Sequence, residues 1–183
     1  MSPYIIGQIF GVLVIIVGIV SNQMPKRWQM LLGMALMNLL SIINIYLIGG
    51  GLAVCLVCAV AVIQCPINAY RAKKELPTPK VEEILFCVLY LVTWGIGYAI
   101  SVKNGTATIL DFIPLVATIF FIGATVAKTE KGMRLCMLGN YSSYIIYQGL
   151  FKNIAVIAQI VSAASVVIAL YRYKKQGGEK NEN

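Results

Sequence analysis

The sequence predicts an all-α membrane protein with seven transmembrane helices, arranged as two three-helix repeats around a single linker helix. Three observations lead to this fold class: an apolar composition, basic residues confined to the ends of apolar runs, and a helix-end motif that occurs twice. Hydrophobic residues make up 59% of the 183 residues and charged residues 12%, against roughly 45–50% and 25% in soluble domains. A soluble chain of this length could not bury that much apolar surface, so the composition excludes a soluble enzyme, a secreted disulfide scaffold and a disordered chain.

Seven apolar stretches are long enough to be helical spans, since a bilayer core about 30 Å thick requires about 20 mostly apolar residues per helix. The first has no basic residue before it and no cleavage pattern after it, so we predict a retained helix rather than a signal peptide. The three consecutive glycines Gly49-Gly50-Gly51 disfavour a helix and so separate the second span from the third. The predicted spans are Tyr4–Ser21, Gln29–Ile48, Gly51–Tyr70, Glu83–Val102, Ile109–Ala127, Met133–Leu150 and Asn153–Tyr171.

The basic residues predict the orientation of the chain. With the N-terminus outside, seven spans leave only Lys103 and Lys152 of the 15 Lys and Arg residues on the outer side, and the other 13 on the cytoplasmic side. This is a strong positive-inside pattern, so the predicted topology is N-out and C-in. Because the basic residues are scattered in small groups at helix ends, they indicate contact with lipid headgroups and no binding of nucleic acid.

Two helix ends carry similar sequences about 100 residues apart. The third span ends in Ile67-Asn-Ala-Tyr-Arg-Ala-Lys-Lys and the seventh in Ile168-Ala-Leu-Tyr-Arg-Tyr-Lys-Lys, and Met30-Leu-Leu-Gly resembles Cys136-Met-Leu-Gly. The alternative is that any two aromatic and basic helix ends look alike. A true repeat divides the chain into residues 1–74 as the first unit, 75–105 as a connector with the linker helix, 106–175 as the second unit and 176–183 as a disordered cytoplasmic tail.

This 3+1+3 plan resembles that of the SWEET sugar transporters, their PQ-loop relatives and the PnuC-type vitamin transporters. Because each unit has an odd number of spans, two units joined directly would have opposite orientations in the membrane. The single linker helix restores the orientation, so the two units become parallel copies. Transporters of this kind bind substrate between the copies near the midplane. The Pro-Gln dipeptide of PQ-loop proteins is absent, since the first loop reads Met24-Pro25-Lys26.

The chain also resembles the YgjV family of bacterial inner-membrane proteins over most of its length. The likeness lies in the charged first loop, the helix ends Asn68-Ala-Tyr-Arg71 and Tyr171-Arg172, and the sixth span with Met133-Arg-Leu-Cys136 and Tyr147-Gln148. The resemblance implies a multi-pass protein of the bacterial cytoplasmic (inner) membrane. It implies no substrate.

Polar side chains inside the spans are the candidate functional residues, because burying them in lipid is costly unless they face a partner or water. In the sixth span they recur at helical spacing and form one stripe of amide and aromatic groups. Such faces could bind a neutral polar solute, or they could simply hydrogen-bond one helix to the next. The candidate substrate-binding residues are Asn38, Asn44, Gln64, Asn68, Asn140, Tyr144, Tyr147 and Gln148.

Three further residues bear on a transport cycle. Asp111 is a candidate for coupling to a proton or cation, although a carboxylate at this position could equally stabilise the start of a helix. Pro66 and Pro114 are candidate hinges, since a proline inside a helix removes one backbone hydrogen bond.

The chemistry of an enzyme is missing. The chain has no histidine, no carboxylate pair within a span and no base beside Ser142-Ser143, so we predict no catalytic residues, no metal site and no cofactor. Cys55-Leu-Val-Cys58 matches Cys-x-x-Cys but has no second ligand pair, and packing explains it. Gly49-Gly50-Gly51 lacks the Lys-Ser/Thr of a phosphate loop.

The leading hypothesis is therefore a facilitative or ion-coupled transporter of a small polar metabolite, with its site between the two units. The alternative is a non-transporting membrane protein that scaffolds or regulates a partner complex. The expected partners are the lipid bilayer and a small solute, and the sequence leaves open whether the chain forms a homo-oligomer.

Overall fold

A computed structural model describes residues 2–48, 52–105, 107, 109, 112–150 and 156–180, without the side chains of 148–150 and 173–180. The described residues form seven α-helices joined by turns and short connections, with no strand among them. The helices are α1 (Pro3–Gln23), α2 (Arg27–Leu47), α3 (Leu52–Lys73), α4 (Lys80–Lys103), α5 (Phe112–Val126), α6 (Glu130–Leu150) and α7 (Val156–Lys180).

The fold is that of an all-α membrane protein, as predicted. Within the described residues, α1 to α4 are each long and apolar enough to cross a membrane, and α5 and the first part of α7 are shorter apolar helices. The helices also expose large apolar side chains, among them Ile9, Ile16, Leu85 and Val92. In water this exposed surface would be unfavourable, whereas against lipid chains it costs nothing.

The helices form a ring of six with one helix outside it. In the first half α2 packs between α1 and α3, and in the second half α6 packs between α5 and α7. The two halves meet where α1 contacts α7 and where α3 contacts α5. The remaining helix, α4, lies outside the ring against α3 and α5.

Several helices extend beyond the apolar runs that predict them. The helix α4 begins at Lys80 and α6 at Glu130, because helical hydrogen bonding continues into the polar residues at the membrane surface. At the other end of the chain, α7 continues to Lys180. This helix includes residues 176–180, which the sequence assigns to the cytoplasmic tail.

The interior is packed tightly in one half of the bundle. We call this half the basic end, because it carries Arg27, Arg71, Arg134 and Arg172, where α1, α3, α5 and α7 end. Its core consists of buried apolar side chains from α2, α3, α5, α6 and α7, with Phe86 and Tyr90 of α4 against them. The largest apolar side chains with almost no exposure are Met30, Leu31, Cys65, Tyr90, Met133 and Val166.

Glycines bring neighbouring helices close together in both halves. A Cβ added to Gly33 of α2 would collide with Ser21 of α1, and one added to Gly139 of α6 would lie 2.6 Å from the ring of Phe120 of α5. Small residues allow this close approach of two backbones. Because the hydrophobic effect does not drive helices together inside lipid, such van der Waals packing is a main source of their association.

A third close contact gives a stability prediction. Gly97 of α4 presses against Ala53 of α3, where an added Cβ would collide with both the side chain and the backbone, whereas nothing lies within 4 Å of a Cβ added to Gly95. We expect Gly97→Ala to lower the thermal unfolding midpoint in detergent, with overpacking costing about 1–3 kcal/mol. The matched variant Gly95→Ala gains the same helix propensity without the collision and should not lower the midpoint. Equal midpoints for the two variants would contradict the packing described here.

Candidate functional site

Two adjoining cavities occupy the half of the bundle away from the basic end. The larger has a volume of about 190 Å³ and lies at the centre of the ring, with walls from α1, α2, α3, α5, α6 and α7. We call it the amide chamber. Its lining includes the polar side chains Asn38, Ser41, Asn44, Cys58, Thr118, Asn140, Tyr141, Tyr144 and Gln159.

Three asparagines of the amide chamber are held in place by backbone carbonyls. The Nδ2 of Asn44 donates to the Gly7 carbonyl of α1 at 2.7 Å, that of Asn140 to the Ala117 carbonyl of α5 at 2.8 Å, and that of Asn38 to Met34 in its own helix at 2.8 Å. An amide has two N–H donors and one acceptor oxygen. In the described part of the chain, each of these bonds uses one of the two donors and leaves the amide oxygen out, and it fixes the orientation of the amide.

The second cavity, of about 100 Å³, lies beside the first between α3, α4, α5 and α6. Trp94, Tyr98, Tyr144 and Tyr147 line it, and we call it the aromatic chamber. Tyr144 lines both cavities. Of the eight residues proposed from the sequence as a binding site, five line one chamber or the other, namely Asn38, Asn44, Asn140, Tyr144 and Tyr147.

Gln64 and Asn68 lie away from the chambers and connect helices instead. Both are almost fully buried. The Gln64 oxygen accepts a hydrogen bond from the Tyr90 hydroxyl of α4 at 2.9 Å, and the Asn68 Nδ2 donates to the Thr125 carbonyl of α5 at 3.2 Å. Both hydrogen bonds connect one helix to another. From the sequence alone, amides with this role cannot be distinguished from amides that line a binding site.

The remaining candidates have mixed outcomes. Asp111 and the side chain of Gln148 lie outside the described part of the chain. Pro66 lies inside α3 and removes a hydrogen bond there, as a hinge would require. Pro114 is the third residue described in α5, and its carbonyl accepts a hydrogen bond from the Thr118 hydroxyl at 2.8 Å.

Two arginines at the basic end connect one half of the bundle to the other. Arg27 of α2 donates through Nη2 to the Thr125 carbonyl of α5 at 2.8 Å, and Arg134 of α6 donates through Nη2 to the Met24 carbonyl after α1 at 2.8 Å. Each arginine thus reaches the end of a helix in the opposite half, where the last carbonyls carry partial negative charge. We call these two contacts the arginine bridges.

Sequence reasoning missed the arginine bridges and Gln159. It counted both arginines only as cytoplasmic charge, although Arg134 is 4% exposed. Gln159 is an amide within the apolar seventh span, so the rule that selected the other amides would have selected it as well.

Comparison with known proteins identifies the family. Residues 5–177 match the model of the Imp-YgjV family, described as bacterial inner membrane proteins. No curated protein and no solved structure matches the chain. The match covers nearly the whole chain, so the protein belongs to the Imp-YgjV family, and the predicted location in the bacterial inner membrane is confirmed.

Proposed function

We propose that this inner membrane protein of the Imp-YgjV family is a transporter that carries a small, neutral polar metabolite through the amide chamber. The observation that carries the proposal is the central cavity itself, whose amides point inward from α2 and α6. Unbonded polar groups cost free energy inside a membrane, so a polar cavity at the centre of a helix bundle is best explained by a polar occupant.

The lining favours an uncharged solute. Among the described residues, no Asp, Glu, Lys or Arg side chain lines either chamber. An ion transferred there would lose its hydration without gaining a counter-charge, and the penalty would amount to several kcal/mol. A neutral solute would instead exchange water for the asparagine groups that the fold holds ready.

The packing supports a rocking motion of the two halves. The helix order within each half, the glycine contacts of α2 and α6 and the arginine bridges all relate the first half to the second in the manner of a repeat. If the N-terminus is outside, as the positive-inside rule predicts, the chambers lie in the periplasmic half and the basic end closes the cytoplasmic side. Transport would then require the basic end to open as the periplasmic side closes.

Solute uptake into proteoliposomes tests the proposal. We expect at least one member of a panel of neutral polar metabolites to enter vesicles containing the protein and not protein-free vesicles. Asn44→Leu combined with Asn140→Leu should reduce this uptake about 5- to 100-fold, because each lost hydrogen bond is worth about 0.5–1.5 kcal/mol. Asn104→Leu, at the exposed end of α4, is the matched control and should retain full uptake.

The outcomes separate the two functions considered from the sequence. Absence of uptake and of efflux for the whole panel would contradict transport and leave the scaffolding role. Uptake that survives the paired asparagine substitutions would contradict the proposed site. Thermal midpoints of all variants show whether a loss of uptake reflects a loss of folding.

A further inference from the structure

The aromatic chamber is built by residues that the ring of six helices alone would not supply. Trp94 and Tyr98 of α4 stack with their ring centroids 5.3 Å apart and their planes 9° from parallel. Phe112 of α5 tilts against both, at 5.6 Å from Trp94 and 5.5 Å from Tyr98. The linker helix therefore contributes one wall of a cavity and is more than a connector between two halves.

Close packing fixes this wall in place. Gly97 lies between Trp94 and Tyr98 in sequence and presses α4 against Ala53 of α3, and Ala53 itself lines the chamber. The two aromatic rings are consequently held against the cavity by a backbone contact rather than by flexible side chains. Such preorganisation lowers the cost of ordering the site when a ligand binds.

The aromatic chamber and the amide chamber share a wall. Val54, Val57, Thr118 and Tyr144 line both of them. A solute in the amide chamber is thus within reach of the aromatic chamber past Tyr144, and one molecule could occupy both.

We infer that the aromatic chamber binds the planar, uncharged ring of a solute whose hydrogen-bonding groups lie in the amide chamber. The inference rests on the proposed transport function and names its substrate class. Four aromatic side chains line a space of about 100 Å³, of the order of a single ring, given that an engineered apolar cavity of about 150 Å³ binds benzene. Aromatic side chains favour a ring over an alkyl chain of similar area, by about 0.5–1.5 kcal/mol for each ring contact.

The chemistry of the two chambers excludes other occupants. An anionic or cationic ring would find no opposite charge in the described lining of either chamber. A lipid chain would use the aromatic chamber but would offer no partner to the second N–H and the oxygen of Asn44 and Asn140, whose other N–H groups donate to the Gly7 and Ala117 carbonyls. A molecule with a flat ring at one side and amide or hydroxyl groups at the other satisfies both.

Binding can be measured on the protein itself, because Trp94 is one of only two tryptophans in the chain. In a Trp28→Phe background, Trp94 fluorescence reports the aromatic chamber directly. Three neutral probes share a carboxamide and differ in the attached group: benzamide, cyclohexanecarboxamide and hexanamide. We expect benzamide to produce a saturable change with an affinity about tenfold higher than the other two, the effect of roughly 1.4 kcal/mol of ring contact.

Substitutions assign the binding to the chamber. Tyr98→Leu should weaken benzamide binding about tenfold, while Tyr98→Phe, which keeps the ring, should weaken it less than Tyr98→Leu does. Tyr46→Leu removes an exposed tyrosine, 79% accessible, and should leave binding unchanged. Asn44→Leu with Asn140→Leu should weaken benzamide as well, because its carboxamide would lose the amide chamber.

Each contrary result has a distinct meaning. Equal affinity for hexanamide and benzamide would overturn the inference and identify a pocket for alkyl chains, including lipid. Binding that is lost in Tyr46→Leu as much as in Tyr98→Leu would overturn it too. Benzamide binding without uptake of any solute would contradict the transport function alone, and uptake without ring preference or a Trp94 response would contradict the substrate class alone.

Discussion

Replacing Ala158 with phenylalanine should abolish solute uptake while the protein remains folded. Ala158 is a half-buried residue of α7 whose side chain lines the amide chamber. A phenyl ring there would take up a large share of a cavity of about 190 Å³. Because the ring enters existing space, it should not cause the strain that overpacking a filled core produces.

The matched control is Ala164→Phe. Ala164 lies in the same helix, but it is exposed on the outer surface of the bundle, where an added phenyl ring would contact lipid. We expect Ala158→Phe to reduce initial uptake more than tenfold and Ala164→Phe to retain it, with thermal midpoints close to that of the unmodified protein for both. Unaltered uptake in Ala158→Phe would show that the solute does not pass through the amide chamber.

The helices were predictable from the sequence because lipid imposes a simple rule on composition. Spans such as Tyr4–Ser21 are apolar throughout, and every helix in the described part of the chain overlaps a predicted span. Their ends were less predictable, since surface residues such as Lys80 and Glu130 continue the hydrogen bonding of a helix without continuing its hydropathy. The apolar pattern records where lipid lies, which differs from where a helix ends.

The candidate site was only partly predictable, because amides that border a cavity and amides that connect helices look alike in sequence. Asn140 and Asn68 both donate to a backbone carbonyl of α5. Asn140 also borders a cavity, while Asn68 lies in the packed half of the bundle. The difference depends on what faces each side chain from other helices, and periodicity within one helix carries no information about that.

The aromatic chamber was missed for a related reason. Trp94 and Tyr98 are four residues apart on the linker helix, where aromatic residues commonly mark a membrane interface. The packing of α4 against α3 and α5, which includes the contact of Gly97 with Ala53, brings them beside Tyr144 and Tyr147. The linker helix, which the predicted topology requires only to restore orientation, thus supplies one wall of a cavity through its position against α3.

Removing both arginine bridges should open the basic end. The relevant variant carries Arg27→Met and Arg134→Met, because methionine keeps an unbranched apolar stem while it removes the donors to Thr125 and Met24. A hydrogen bond from a charged group is worth about 1.5–3 kcal/mol. If part of this free energy holds the two halves together, its loss should raise the open population at least tenfold.

Cys65 reports the opening, since it lies in the core of the basic end with an exposed fraction of 0%. With the other four cysteines replaced by alanine, its alkylation by a water-soluble maleimide should be slow in the parent protein. We expect the paired methionine variant to react at least tenfold faster, with each single variant between the two. An unchanged rate in the pair would mean that the arginine bridges do not hold the basic end closed.

Two controls distinguish opening from general loss of stability. Arg71→Met removes an arginine at the same end that pairs with Glu82 of α4 and so connects no residue of α1 or α2 to α5 or α6. Gly97→Ala weakens the packing of α3 against α4 in the other half of the bundle. Neither variant should accelerate the labelling of Cys65 at temperatures below the unfolding midpoint of that variant.

If either control accelerates the labelling as strongly as the paired arginine variant does, the exposure of Cys65 reflects unfolding, and the basic end does not act as a gate. If neither does, the arginine bridges contribute to closure together with the other hydrogen bonds between the halves at this end, such as those of Asn22 with Tyr141 and of Gln23 with Ser165.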